Sequence, residues 1–221
     1  MSNSSKKNLK TLQFTFLFGH MANDWCFGAI FILLPAIGLT FGLRPSQLGL
    51  LVTIYAFGSA LAYLPAGIIA DRFQNQGRLL LLTFWWVGIG YIAASRAPGF
   101  LSLALLLAFA GMGDATWHPI ATGVLTRQMP GRRGQALGIH AIGGTLATVL
   151  SPLLVGFLLA VLSWRDVMMV SAAAPLLMGL VFIRYHRAVP RSTSKRITRS
   201  DLGNLKKTWS SSSGLTLIAG I

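Results

Sequence analysis

Residues Leu12–Gly38 read LQFTFLFGHMANDWCFGAIFILLPAIG, an apolar run of 27 residues with one charged side chain, Asp24. At a rise of about 1.5 Å per residue, such a helix is long enough to cross the roughly 30 Å hydrocarbon core of a bilayer. The run does not alternate strictly between polar and apolar residues, which argues against a barrel strand. It is too long for the core of a signal peptide, and no small-residue cleavage site follows. The stretch therefore predicts an uncleaved first transmembrane helix.

Five further apolar runs follow the first along the chain. They cover Gln47–Ala70, Leu79–Ser95, Phe100–Thr126, Gln135–Leu162 and Val167–Ile183. Over the whole chain, 53% of the residues are hydrophobic and 11% are charged, whereas a soluble domain carries about 25% charged residues. Only helices and closed barrels satisfy their backbone groups in lipid. The sequence therefore predicts an all-α membrane protein whose six transmembrane helices form a bundle over residues 12–184.

Positive charge is distributed unevenly between the segments that flank these runs. Sixteen of the 19 lysines and arginines lie before the first run, between the second and third, between the fourth and fifth, or after the sixth. The remaining connections hold only Arg44, Arg96 and Arg165. By the positive-inside rule, the N-terminus and the segment after the sixth run face the cytoplasm. Topology thus explains the net charge of +14, and we expect no nucleic-acid partner.

The chain after the sixth run changes character twice. Residues 185–213 are polar, basic and rich in serine and threonine, which predicts a flexible cytoplasmic loop. Residues 214–221 are apolar again, but such a short segment cannot cross a bilayer that needs about 20 residues. We therefore expect a cytoplasmic N-terminus over residues 1–11, the bundle, this loop, and the start of a seventh helix at which the chain is cut off. Two six-helix halves are typical of secondary transporters.

Two of the five acidic residues lie inside the predicted helices. Asp24 and Asp114 each fall near the middle of their apolar run, and therefore near the middle of the bilayer. A charged side chain there costs on the order of 2.5–3.5 kcal/mol to insert, which marks a functional site with a partner. A histidine lies four residues away in each case, His20 before Asp24 and His118 after Asp114. This spacing places the two members of each pair on one helix face.

A histidine beside a carboxylate can change protonation near neutral pH, as a proton-coupled carrier requires. We therefore predict a pathway for protons and substrate that includes both pairs and their neighbours Asn23, Trp25 and Trp117. The alternative is that the buried pairs only lock helix packing. His140 is expected to be a packing or interfacial residue, and His186 is expected to be solvated.

The end of the second run carries a longer motif. Gly67-Ile-Ile-Ala-Asp71-Arg72 closes that run, and Gly77-Arg78 precedes the third. The stretch resembles the loop signature of the major facilitator superfamily, in which a glycine, three residues and Asp-Arg are followed by Gly-Arg between helices two and three. The resemblance implies a conformational switch formed by Gly67, Asp71, Arg72, Gly77 and Arg78. Residues 73–76 lengthen the motif relative to the family, so the switch is expected to be altered.

A narrower resemblance rests on residues of the first, fourth and fifth runs. They are Gly19-His20, Asn23-Asp24, Trp117-His118-Pro119, Arg133-Gly134, and the series Gly143, Gly144, Ser151, Pro152 and Gly156. Together they resemble the fosmidomycin-resistance branch of the superfamily, whose members export small drugs against a proton gradient. The series on the fifth run also resembles the family's antiporter signature, although Ser151 stands where glycine is usual. The fourth run lacks the intramembrane arginine of many proton-coupled relatives.

These resemblances imply a secondary transporter, an antiporter of the bacterial cell inner membrane that exports a small molecule by alternating access. The expected partners are the substrate, protons, the lipid bilayer, and a C-terminal half of the transporter that this chain lacks. Uptake of an organic anion or metabolite by the same fold is the alternative. A non-transporting six-span scaffold and an intramembrane enzyme are alternatives from another class. The sequence has no phosphate-binding loop, zinc-protease motif or nucleophile elbow, so we expect no enzymatic activity, cofactor or metal.

Overall fold

The computed structural model describes residues 3–191, and this part of the chain is a bundle of helices. A 3-10 turn at Pro130–Arg132 precedes the fifth helix. The α-helices are α1 (Asn3–Phe41), α2 (Pro45–Arg72), α3 (Gln76–Ser95), α4 (Phe100–Gln128), α5 (Arg133–Leu159), α6 (Trp164–Ser171) and α7 (Ala173–Tyr185).

Between residues 3 and 191, six helical segments are long and apolar enough to cross a membrane. Helices α1 to α5 supply one each, and α6 and α7 together supply the sixth because only Ala172 interrupts them. No strand occurs between residues 3 and 191. The predicted all-α fold with six membrane-spanning helices is therefore confirmed. The part of the predicted loop at residues 185–213 that follows Arg191, and the predicted seventh helix, lie outside the described residues.

Short connections end one helix and begin the next. Gly42 follows α1 with a φ of 63°, the left-handed conformation that glycine adopts most easily after a helix. Pro45 then occupies the first position of α2, where its missing N–H leaves no hydrogen bond unmade. The side chain of Asn75 accepts a hydrogen bond from the Arg78 N–H at 3.1 Å and caps α3. Because the connections are this short, successive membrane-spanning segments run antiparallel.

The outward surface of the bundle is apolar. Phe57, Leu101 and Phe157 are 63%, 67% and 77% exposed. Soluble monomers seldom expose so many large apolar side chains, whereas lipid solvates them without cost. The chain is therefore a multi-pass membrane protein.

Glycines bring the helices close together inside the bundle. A Cβ atom on Gly58 of α2 would lie 2.6 Å from the carbonyl oxygen of Ala108, and one on Gly90 of α3 would lie 2.8 Å from the Ala110 Cβ. Neither position tolerates a side chain unless a helix moves. Small residues at such crossings allow the van der Waals contact that holds membrane helices together. As a result, α2 and α3 both pack on α4.

Two apolar cores lie at different depths in the bundle. One core contains residues from the later part of α1 and the earlier part of α4. The other core contains residues from the earlier part of α1 and the later part of α4. Asn23 and Asp24 separate the two cores on α1, and Asp114 separates them on α4. The antiparallel packing of α1 and α4 therefore brings these polar residues to one level in the middle of the bundle.

The segment that joins α2 and α3 packs against the end of α7. A Cβ on Gly77 would overlap the backbone carbonyl of His186. The Gln76 side chain donates to the carbonyl of Ala70 at 2.8 Å, and Arg127 of α4 donates a hydrogen bond to the other end of the same amide. Gln76, one of the residues that lengthen the motif, thus ties α2, α3 and α4 together at one end of the bundle. The predicted switch residues Asp71, Arg72 and Arg78 are exposed beside it.

Candidate functional site

Asp24 lies at the centre of the polar layer and faces two histidines. Its Oδ2 is 3.1 Å from His20 Nε2, one turn earlier on α1, as the spacing predicts. Its Oδ1 is 3.7 Å from His118 Nε2 on α4. The three side chains are 12%, 14% and 23% exposed for His20, Asp24 and His118. We call these three residues the acid–histidine cluster. It is partly buried yet still open to the surface of the bundle.

Asp114 has different partners from those that its spacing predicts. The structure joins His118 to Asp24, and no ion pair links it to Asp114 among the described residues. Instead, the Asn23 side-chain amide donates to Asp114 Oδ1 at 2.6 Å, and the Tyr55 hydroxyl donates to Asp114 Oδ2 at 3.2 Å. The expected Asp114–His118 pair is therefore not formed. Donors on α1 and α2 hold the carboxyl group while His118 turns toward α1.

Asn23 links the two acidic side chains. Its side-chain N–H group lies 3.2 Å from Asp24 Oδ1, 2.6 Å from Asp114 Oδ1 and 3.2 Å from the Asp114 carbonyl oxygen. Asn23 is fully buried and Asp114 is 8% exposed. Asp114 thus lies behind the acid–histidine cluster, away from the surface, and one amide connects the two sites.

Contacts to α5 fix the orientation of His20. His20 Nδ1 lies 2.8 Å from the carbonyl oxygen of His140. A carbonyl only accepts hydrogen bonds, so Nδ1 carries a proton and Nε2 is directed at Asp24. The His140 ring stacks on the His20 ring with centroids 4.1 Å apart, and its Nδ1 lies 3.2 Å from the Phe16 carbonyl oxygen. His140 is therefore part of the site, although sequence reasoning assigned it to packing.

The small residues of α5 create the room that the cluster occupies. A Cβ on Gly144 would lie 2.8 Å from His20 Cε1 and 3.1 Å from Asp24 Oδ2, and one on Gly143 would overlap the Leu17 carbonyl. One polar contact extends this interface, from the Ser151 hydroxyl to the Trp25 carbonyl oxygen at 2.7 Å. In contrast, a Cβ on Gly156 would point into open space and meet no other helix. Pro152 lies inside α5.

Two tyrosines on α2 complete the surroundings of the polar layer. Tyr55 is buried beside Asp114, while Tyr63 is 48% exposed and its ring stacks on His118 with centroids 6.0 Å apart. Sequence reasoning missed both. They are eight residues apart, which places them near one face of a helix. This spacing is the feature of the sequence that could have indicated them.

The two tryptophans predicted to border the pathway lie outside the acid–histidine cluster. Trp117 is fully buried against Phe16, Phe84 and Phe182. The Trp25 side chain lines a groove between α1 and α7 together with Met178. The structure therefore does not bring either indole to the acid–histidine cluster.

The acid–histidine cluster is also a set of potential metal ligands. One ligand atom from each of His20, Asp24 and His118 can be chosen so that all three lie within 4.8 Å of one another. The sequence indicated no metal site because the three residues come from two helices that are far apart in the chain.

The fold and the site together define a class: helical membrane proteins with six spans and a polar site at mid-depth. The family model described as Major Facilitator Superfamily matches residues 16–220. The chain belongs to this superfamily, as the residues at the end of the second run predicted.

Curated relatives of the chain are named as transporters or resistance proteins. It is 30% identical over 169 residues to the probable sulfoacetate transporter of Cupriavidus necator, covering 76% of this chain and 39% of that protein. It is 26% identical over 141 residues to the fosmidomycin resistance protein of Escherichia coli K12, covering 64% of this chain and 34% of that protein. The chain thus spans less than half the length of these relatives. None of these names is that of an enzyme, in agreement with the prediction.

Solved structures share the fold. A crystal structure of a peptide transporter, described as POT (E310Q mutant), superposes with a TM-score of 0.74 at 19% sequence identity, covering 94% of this chain and 45% of that chain. At this identity, the likeness concerns the arrangement of helices alone.

Proposed function

We propose that this chain forms one half of a secondary transporter that moves a small solute across the membrane by alternating access. The observation that carries the proposal is the acid–histidine cluster, an open polar site at mid-depth in a bundle of this superfamily. In two-halved transporters, the solute binds near the bilayer midplane and the halves rock around it. A second six-helix half would cover the open side of the cluster.

The solute pathway includes the exposed side of the polar layer. His20, Asp24 and His118 have their side chains partly exposed there, and Tyr63 extends the surface beside His118. A charged or hydrogen-bonding group of the solute would contact these residues. Trp117 would act only as a buried support.

Proton coupling belongs to Asp114. Its described hydrogen-bond donors, the Asn23 amide and the Tyr55 hydroxyl, are neutral. Burying a carboxylate without a cationic partner costs free energy, and uptake of a proton removes the charge and with it that cost. Because Asn23 contacts both acids, a proton on Asp114 would change the hydrogen bonds available to Asp24. This link offers a route by which proton uptake affects solute binding.

The segment between α2 and α3 would set the balance between inward-facing and outward-facing states. Gly77 packs tightly against α7, and Gln76 forms a hydrogen bond with Arg127 of α4. A shift of α4 would therefore displace the segment between α2 and α3. The exposed Asp71, Arg72 and Arg78 would then pair with the second half. Under the positive-inside rule this end faces the cytoplasm of a bacterium, with the N-terminus on the same side.

Export of a small molecule is the first choice for direction, since the superfamily resemblance extends to the fosmidomycin resistance protein. A specific observation favours a second candidate. One relative at 30% identity is named for sulfoacetate, an organic anion. The alternative is therefore transport of a small organic anion through the same site.

Accumulation assays in cells that lack their main exporters test the proposal. The complete reading frame that contains this chain is expressed, and small antimicrobials and organic anions are measured with and without a protonophore. We expect exclusion or uptake of one compound to depend on the gradient and to fall at least about tenfold in Asp24→Asn. Asp166→Asn, which changes an exposed acid at the start of α6, is the matched control. Unchanged accumulation of every compound, with the protein verified in the membrane, would count against transport.

A further inference from the structure

We propose that His20, Asp24 and His118 form a binding site for a divalent transition-metal ion of the zinc class. The ligand atoms are Nε2 of both histidines and a carboxylate oxygen of Asp24. This inference goes beyond transport, because it concerns the binding of an ion that can be measured on the protein alone.

The spacing of the three groups fits such an ion. Zinc binds histidine nitrogen and carboxylate oxygen at about 2.0–2.2 Å, which places neighbouring ligands of a tetrahedral site about 3.3–3.6 Å apart. The observed separations are 3.1 Å from Asp24 Oδ2 to His20 Nε2 and 3.7 Å from Asp24 Oδ1 to His118 Nε2. The second distance is too long for a hydrogen bond but suits two atoms that share a metal. One ligand atom from each of the three residues lies within 4.8 Å of the other two. Small side-chain rotations would complete the geometry.

The chemistry of the ligands selects the metal. Two imidazoles and one carboxylate favour zinc, cobalt, nickel or iron, whereas calcium and magnesium prefer a full shell of oxygen ligands. Three protein ligands also leave a fourth tetrahedral position, and the cluster is partly exposed at the surface of the bundle. An anionic group of a solute could occupy this position.

The contact between His20 and His140 orients the His20 ring for metal binding. Histidines that bind metals usually donate their other ring N–H to a carbonyl or carboxylate, which fixes the tautomer and the direction of the ring. His20 does so through Nδ1, 2.8 Å from the His140 carbonyl oxygen. His20 Nε2 lies 3.1 Å from a carboxylate oxygen of Asp24. A metal ion between the two atoms would take the place of the proton that Nε2 donates to Asp24 in the imidazolium form.

The distribution of basic residues in the bundle suggests what a bound metal ion would contribute. Within residues 8–191, the lysines and arginines lie near helix ends or in connections, none at the level of Asp24. A bound divalent ion would supply positive charge at that level. An organic anion could then bind beside Asp24 without meeting an uncompensated carboxylate.

Cobalt(II) titration of the purified protein, carrying no histidine tag, tests the proposal. We expect the visible absorption of tetrahedral cobalt to saturate at one ion per chain, and zinc to displace it. His20→Ala and His118→Ala should each weaken binding at least about tenfold, since even loss of a residue that only orients a ligand costs about 10–100-fold. His186→Ala is the matched control, because His186 contacts only its own helix among the described hydrogen bonds.

A second variant keeps the test decisive if an alanine variant unfolds. His118→Cys replaces one zinc-class ligand with another, and should retain cobalt binding while adding sulfur-to-cobalt charge-transfer absorption. Absence of saturable cobalt and zinc binding by the folded wild type would overturn the proposal. So would binding that is unchanged in His118→Ala or lost equally in His186→Ala. Transport does not enter these readouts, so failure here leaves the transport proposal standing.

Discussion

The two acids at mid-depth, Asp24 and Asp114, are the same residue type placed in opposite surroundings. Asp24 is partly exposed and faces two imidazoles on α1 and α4. Asp114 is almost fully buried and is held by an amide and a phenol. Depth in the membrane therefore does not decide what a carboxyl group does. The helices that pack around it determine whether the carboxyl group is open to the surface of the bundle or enclosed by neutral donors.

The largest effect on stability is expected from cutting the link between the two acids. Asn23→Leu keeps the branched shape and the number of heavy atoms of the side chain but leaves Asp114 without its 2.6 Å donor. Loss of a partner for a buried polar group costs about 1–3 kcal/mol, and more for a charged one, so we expect about 3 kcal/mol. Denaturant unfolding in detergent, followed by circular dichroism, measures the change.

The matched control for that variant is Thr53→Val on the exposed side of α2. It should alter the unfolding free energy by less than about 0.5 kcal/mol, as exposed substitutions do. Equal effects of the two variants would show that the Asn23 link carries no stability.

A smaller effect is expected from crowding the acid–histidine cluster alone. In Gly144→Ala the new methyl group would lie 2.8 Å from His20 Cε1 and 3.1 Å from Asp24 Oδ2, so the two side chains must shift. Overpacking of this kind costs about 1–3 kcal/mol. Gly156→Ala, with nothing within 4 Å of its Cβ position, should leave the thermal unfolding temperature unchanged or raise it. A lower temperature for Gly156→Ala than for Gly144→Ala would contradict the account.

The smallest effect is expected at the second donor to Asp114. Tyr55→Phe removes the hydroxyl that lies 3.2 Å from Asp114 Oδ2, and we expect a loss of about 1 kcal/mol. Tyr63→Phe keeps the ring that stacks on His118 and should cost less. The same unfolding measurement compares them. Reversal of that order would mean that the Tyr55 hydroxyl does not stabilise Asp114.

The sequence predicts the parts of this site that depend on one helix. Run lengths set the six spans because a bilayer fixes the length of a helix that crosses it. The four-residue spacing places His20 beside Asp24 because one helical turn separates them. The motif that includes Asp71 and Arg72 indicated the superfamily, which the family model confirms.

Contacts between helices could not be predicted in the same way. The partners of Asp114 and His118 depend on how α1, α2 and α4 are rotated against one another, and close packing at residues such as Gly90 sets that rotation. Periodicity along one helix carries no information about it. For the same reason, adjacency in sequence placed Trp117 beside the pathway, while packing buries it among phenylalanines.

The division of roles between the two acids is tested most directly by comparing two kinds of flux in proteoliposomes. The complete protein is reconstituted with a compound identified in cells, and gradient-driven accumulation is measured beside exchange of that compound without a gradient. We predict that Asp114→Asn loses accumulation but keeps exchange within about twofold, since it removes the proton site and spares the solute site. Asp24→Asn should lose both. The same phenotype in the two variants, or loss of exchange in Asp114→Asn with accumulation retained in Asp24→Asn, would contradict the account.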